Sequence, residues 1–354
     1  MNTSDLLANL KGYSRTFVVH SNANPYAAAA AMGAAMGRSE TLGPYFNLLR
    51  KPSSGVQAQD AAAAVCDLSS SEVKVDFIGD WSDFLRQKGM ATYGLAYVQS
   101  RSPEDNTMRY LNAHRRIPIT APRMVHEPRG WSSPQGYEDD YVALKRLITS
   151  GGDLKPYLSN QIQRKRADKN DGLLNSEGIQ HLHFRSGGTK DILLCKITDT
   201  DVFVIKALPH CDGDDEWKVD KSLLQILHDN WPEEIAAGKC HKLKGEPKPS
   251  SERLALRDQN ANFTTTMRDG TVYLAPGGGL MASGDCSDDR RDCDRIFAEL
   301  AHWQSVVKNN AARFRAALNW PRSKELSIRM MFDHRDCWLY EPTTGSVIAL
   351  TMQE

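Results

Sequence analysis

His181, His183 and Arg185 stand two residues apart in the run 178–185, GIQHLHFR, and residues two apart on an extended strand share a face. The spacing lines two imidazoles and a guanidinium along one surface and sends Leu182 and Phe184 to the other. Lys206 and His210, four apart in a later run, share a face for the same reason. An imidazole can give or take a proton near neutral pH, and a guanidinium or ammonium can neutralise the charge that grows on a phosphate during transfer. These groups make up a toolkit for metal-free RNA cleavage. One histidine would take the proton of a 2′-hydroxyl, another would protonate the leaving oxygen, and Arg185 or Lys206 would hold the scissile phosphate. No cofactor is needed. Two other readings use the same residues. A His-x-His pair can hold a metal ion with a third ligand such as His210 or Asp212, and two histidines on a half-exposed sheet face can be bonded to their neighbours and do no chemistry.

The elements that must position this set are legible around it. Run 178–185 ends in the turn Ser186-Gly187-Gly188, and the apolar run 192–197 ends in Asp199-Thr200-Asp201. The β-branched run 202–208 completes a predicted three-strand antiparallel meander. Leu223, Leu224 and Leu227 at helical spacing predict a helix over 221–229, stopped by Asn230-Trp231-Pro232. A further helix is expected over 154–174, and Tyr141, Leu144, Leu147 and Ile148 predict one over 137–148 that Gly151-Gly152 ends.

In this order of hairpin, third strand and following helix, IQHLHFRSGGTKDILLCKITDTDVFVIKALPH then KVDKSLLQIL, the segment 178–230 resembles the RelE and HigB group of toxin ribonucleases. The resemblance implies a compact antiparallel sheet whose basic or histidine residues cut messenger RNA, commonly on the ribosome. The matching positions are Arg185 on the first strand, Lys206 on the third and His210 just after it. Members of the group are small single domains, whereas this chain continues far on both sides, and Leu208-Pro209-His210 stands where they often carry consecutive basic residues. The implied role is an intracellular toxin or a defence protein, with RNA and a restraining protein or antitoxin as partners.

Two basic stretches precede the histidines: Arg109, His114, Arg115, Arg116, Arg123, His126 and Arg129, then Lys155, Arg164, Lys165, Arg166 and Lys169. Lysine plus arginine equals aspartate plus glutamate at 44 each, so no global field draws the chain onto nucleic acid, and local charge decides. Arg115, Arg116, Arg123, Arg164, Lys165 and Arg166 are the candidate nucleic-acid contacts. They support the alternative function, a non-enzymatic module that binds nucleic acid or protein through 109–169, although a charge run can also be a solvated surface.

The 354 residues, 40% of them hydrophobic and 25% charged, exceed one ordinary core and predict several compact parts. The expected division is 1–105 helical and mixed, 106–150 a proline-rich basic connector and helix, 151–238 the meander with flanking helices, and 250–354 a strand, long helix and strands unit. A linker is expected at 239–249, and the last two parts are candidates to share one sheet. The class is α+β, an antiparallel meander flanked by helices. In the first part, 72–78 alternates as a strand does, and Asp80 or Ser82 is the expected cap of the next helix. Pro276-Gly277-Gly278-Gly279 lacks the Gly-Lys-Ser/Thr of a nucleotide loop and predicts a sharp turn or a close backbone approach. A single long helix is expected over 292–318. Neither a membrane-spanning run nor a secretory leader is visible, and a cytoplasmic location is expected. Seven cysteines without paired Cys-x2-Cys units predict free thiols.

Overall fold

The computed structural model describes residues 16–20, 73–159, 162, 170–209, 216–243, 245, 248–332 and 337–351. The chain divides into two compact units, one of Met1–Gln87 with Asp294–Glu354 and one of Lys88–Cys293. Helices and several small sheets share the chain, which is α+β. Among the described residues no helix is long and apolar enough to cross a membrane.

The first unit opens with strands β1 (Thr16–His20) and β2 (Val73–Lys74) and helix α1 (Phe77–Phe84). The strand expected over 72–78 is cut short and the helix starts before Asp80, because the Asp76 carboxylate accepts a hydrogen bond from Gly79 N at 2.9 Å and caps it. Asp80 is instead buried. It accepts from Met330 N at 2.7 Å and pairs with Arg329.

The second unit begins with α2 (Pro103–Arg116). Pro103 occupies the first helical position, where its missing N–H costs nothing, and Ser102 Oγ accepts from Asp105 N at 3.0 Å. Glu104 and Asp105 in the first turn and His114, Arg115 and Arg116 in the last complement the helix dipole. Strand β3 (Met124–His126) and helix α3 (Glu138–Thr149) follow. Over the helix expected at 154–174, the described residues show a 3-10 turn at Lys155–Tyr157, helical geometry at Ile162 and α4 (Gly172–Glu177).

The meander is β4 (Gln180–His183), β5 (Asp191–Ile197) and β6 (Asp201–Pro209), as expected, followed by α5 (Lys221–Asn230). The sheet has the order β3-β6-β5-β4, with β3 parallel to β6 and the other pairs antiparallel. Leu223, Leu224 and Leu227 of α5 join Ile179, Ile192, Leu194 and Ile205 in one buried cluster. Phe184, just past β4, stacks on Tyr137 beside α3, ring centroids 5.0 Å apart.

Strand β7 (Lys239–Cys240), helix α6 (Ser250–Asp258) and strands β8 (Thr264–Thr266) and β9 (Val272–Leu274) complete the unit, in a sheet of order β7-β9-β8. Lys239 pairs with Tyr273 and Cys240 with Val272. The linker expected at 239–249 is therefore partly strand, and it lies inside the unit.

Helix α7 (Ser287–Asn309) begins in the second unit and ends in the first. The single helix expected over 292–318 is two, with Asn310 leaving helical geometry before α8 (Ala311–Ala317). Strands β10 (Leu326–Ser327), β11 (Arg329–Phe332), β12 (Cys337–Glu341) and β13 (Ser346–Thr351) follow. They do not join the meander. β13 lies between β1 and β12, and β10 pairs with β2. The division 1–105, 106–150, 151–238 and 250–354 thus gives way to a first unit made from both chain ends, because its strands find their partners across the length of the chain.

Candidate functional site

The histidines sit on β4 as the spacing required. His181 is opposite Leu194 and His183 opposite Ile192, both members of the α5-side core cluster, and their rings are 6.0 Å apart at right angles. His183 is buried, and its Nδ1 accepts a hydrogen bond from Thr189 N at 3.0 Å. A nitrogen that accepts an amide N–H carries no proton, so the ring's own proton is on Nε2. The turn at Ser186-Gly187-Gly188 thus closes back on His183, and the residue acts as a clasp for its own hairpin.

The other predicted members are placed elsewhere. β4 ends at His183, and Arg185 turns to α3, where it pairs with Asp140 at 2.6 Å and lies over the Tyr137 ring at 5.4 Å. Opposite Leu194 on its other side is Lys206, so one strand separates Lys206 from His181 in the same row. Its ammonium pairs with Asp220 at 3.1 Å. Partial burial raises the Asp220 pKa, but Ser222 and Lys206 outweigh it and hold the carboxylate below its usual range. His210 and Asp212 lie outside the described residues. Among those described, His181 and His183 are brought together, while Arg185 and Lys206 are each in an ion pair away from them. No group of three or more His, Cys, Asp or Glu residues among the described ones could hold a metal.

The basic stretch is largely built into the fold. Arg116 and Arg123 are buried. Arg123 donates to the carbonyls of Thr198, Ile119 and Ala121 at 2.7, 3.0 and 3.1 Å, joining the chain ahead of β3 to the turn ahead of β6. His126 bonds Asp201 at 2.6 Å across the β3–β6 pair and stacks on Phe203. Arg115 donates to Gly277 O at 2.9 Å and to the Asn175 side chain, and lies 3.5 Å from Asp289. Guanidinium groups occupied by the chain's own carbonyls are not offered to a phosphate backbone. Arg164, Lys165 and Arg166 lie outside the described residues.

Arg115 leads to the glycine loop, which makes the close approach its sequence predicts. Gly277 N donates to Ser176 O and Gly279 N to Asn175 O, both at 2.8 Å. A Cβ on Gly277 would stand 2.1 Å from Gly178 N, so only glycine fits. Beside it, Asn175 donates to Gly284 O at 3.0 Å and Asn262 to Leu280 O at 2.9 Å. The loop and these amides fix the segment 280–285. Asp289 is buried against Arg115, and burial pushes its carboxyl up to about 6, with Arg115 working in the opposite direction.

The segment so fixed forms one wall of a cavity of about 460 Å³. Met281, Ser283 and Asp285 face Asp105, Met108, Arg109 and Asn112 of α2, with Arg101 just ahead of the helix, Asn170, and Arg290 of α7. Positions 105, 108, 109 and 112 follow helical spacing, so a single face of α2 supplies them. Arg109 donates to Ala96 O at 3.0 Å and to Asn106 at 3.3 Å, and Asp285 accepts from Ser283 Oγ at 2.7 Å. The side chains of Arg101 and Asp105 make no hydrogen bond or ion pair with any described residue.

No protein-family model, curated protein or solved structure matches the chain.

The sequence reading missed Arg101, Asp105, Asn112, Ser283, Asp285 and Arg290. A signal was present. Ser102-Pro103-Glu104-Asp105 is a helix start with its cap, its N1 proline and its acidic first turn. The prolines at 118, 122, 128 and 134 that follow give the region the composition of a connector and mask it.

Proposed function

We propose that this protein binds RNA and seats a phosphate of the strand against the Arg101 guanidinium, in a cavity that Arg109 and Arg290 also line. The observation that carries the reading is the uncommitted Arg101 guanidinium on the wall of a concave, polar cavity of about 460 Å³. A cavity of this size falls within the range of ordinary ligand sites. Its arginines come from two parts of the chain, Arg101 and Arg109 at α2 and Arg290 on α7, and an open guanidinium fork matches phosphate oxygens. Asn170, on the same wall, directly follows in sequence the stretch that contains Arg164, Lys165, Arg166 and Lys169. With 44 basic and 44 acidic residues, binding depends on such local concentration of charge.

Fluorescence anisotropy of a labelled single-stranded RNA over a salt series tests this. The double variant Arg101→Ala/Arg290→Ala is expected to bind at least about tenfold more weakly and to lower the log–log salt slope by about one to two. An unchanged affinity and slope would remove the cavity from the reading.

A second reading, a metal-independent endoribonuclease of the toxin or defence type, is favoured by the two imidazoles 6.0 Å apart on β4 in a row that ends at Lys206. Its test is cleavage of RNA in excess chelator, with and without ribosomes. Cutting that disappears in His181→Ala/His183→Ala supports it, and intact RNA under every condition, with binding retained, sinks it.

A further inference from the structure

We infer that the Arg101–Asp105 cavity takes a single ribonucleotide unit, the phosphate-bearing end of an RNA strand or a free nucleoside monophosphate, and not a continuous length of backbone. The inference rests on the RNA reading above and narrows it to one ligand class.

The cavity pairs opposite charges without joining them. Arg101 and Asp105 are four residues apart around the start of α2, line the same space, and make neither an ion pair with each other nor a side-chain bond to any described residue. Two further charges on the wall are held in place, Arg109 by Ala96 O and Asn106, and Asp285 by Ser283. A site with one open cation and one open anion on the same walls fits a ligand that presents both an anion and a hydrogen-bond donor. A continuous phosphate backbone supplies the anion repeatedly, and each further phosphate would meet Asp105 or Asp285. One nucleotide supplies a phosphate for Arg101 and a ribose hydroxyl for a carboxylate. A carboxylate can only accept, so it takes a sugar hydroxyl as donor, and the 2′-hydroxyl is the one that RNA has and DNA lacks. Asn112, Asn170 and Ser283 are polar groups on the same walls within reach of a sugar or base edge. The glycine loop and the Asn175 and Asn262 amides hold the 280–285 wall, so the cavity is built before the ligand arrives.

Competition binding on the full chain tests the inference. The probes are a linear 5′-phosphorylated RNA, a circular RNA of the same sequence, the ribonucleoside monophosphates, their 2′-deoxy counterparts, and inorganic phosphate. The expected result is that a ribonucleoside monophosphate displaces the linear RNA at least about tenfold more effectively than its deoxy counterpart or inorganic phosphate, the loss that one charge-assisted hydrogen bond represents. The circular RNA is expected to bind weakly. Asp105→Asn should reduce the ribose preference while phosphate-dependent binding remains, and Arg101→Ala should abolish nucleotide binding. Both side chains are uncommitted, so unchanged thermal midpoints are expected to show both variants folded. Circular RNA binding as tightly as linear, with no competition by nucleotides, would overturn the single-unit inference and leave the RNA reading standing. Equal competition by deoxynucleotides or phosphate would overturn it as well. Ribose-selective nucleotide binding without affinity for either RNA would uphold the inference and remove the RNA reading.

Discussion

Arg123 and Arg101 stand on either side of α2 and have opposite fates. Arg123 is buried, and three carbonyls from two stretches of chain occupy it. Arg101 is exposed on a cavity wall and occupied by none. The residue type is the same, so the presence of an arginine does not tell which guanidinium is available to a partner. At Arg123 the chain's own carbonyls decide, because a buried C=O without a donor is costly and an arginine with several N–H groups satisfies more than one.

The largest effect that sharpens this contrast is at Arg257, a buried arginine whose partner is a buried carboxylate. It pairs at 3.0 Å with Glu177, both side chains being 7% exposed, and burial raises the Glu177 carboxyl. Arg257→Ala leaves Glu177 buried without its cation, and a stability loss of about 3–5 kcal/mol is expected in urea unfolding. Next is Arg123→Ala, with about 2–3 kcal/mol for carbonyls left without donors. Arg101→Ala should leave the urea midpoint where it was and should act on RNA affinity alone. A loss of stability at Arg101, or none at Arg123, would break the contrast.

A smaller effect concerns Asp289, the partner of Arg115. Its folded-state pKa, pushed up to about 6, lies above that of the unfolded chain, so the folded state holds the proton more tightly. The associated stability is present below about pH 4 and is lost as pH rises through about 6. Asp289→Asn keeps the neutral form, and its stability relative to the parent should rise by on the order of 2 kcal/mol across that window and then level off. A difference that stays flat with pH would mean that Asp289 is ionised alike in both states. The smallest effect is at Arg185, whose side chain is 59% exposed beside Asp140. Arg185→Ala should leave unfolding unchanged, and it separates the meander reading from the cavity reading if RNA affinity also stays the same.

The meander was legible because each of its strands is a short apolar run with its own turn residues, so all of the information is local. α5 was legible from Leu223, Leu224 and Leu227. β3 was not. Met124-Val125-His126 lies among prolines and becomes a strand only because β6 offers it an edge. The C-terminal strands were readable, but their partner β1, at Thr16–His20, was not. In the candidate site, the shared face of His181 and His183 followed from alternation, whereas the turning of Arg185 to Asp140 depended on where β4 stops. The cavity could not be read from any single segment, since its walls come from α2, Asn170, the 281–285 segment and α7.

The parallel pairing of β3 with β6 also sets an order of assembly. β4, β5 and β6 are joined by tight turns and need only short loops to close, while the His126–Asp201 bond that fastens β3 spans 75 residues. The hairpin strands can therefore form and exchange slowly with solvent while β3 is still loose. In pulse-labelled hydrogen exchange during refolding, amides of β5 should gain protection ahead of Val125 and His126, and the outer edge of the sheet should be the first place where the folded protein opens.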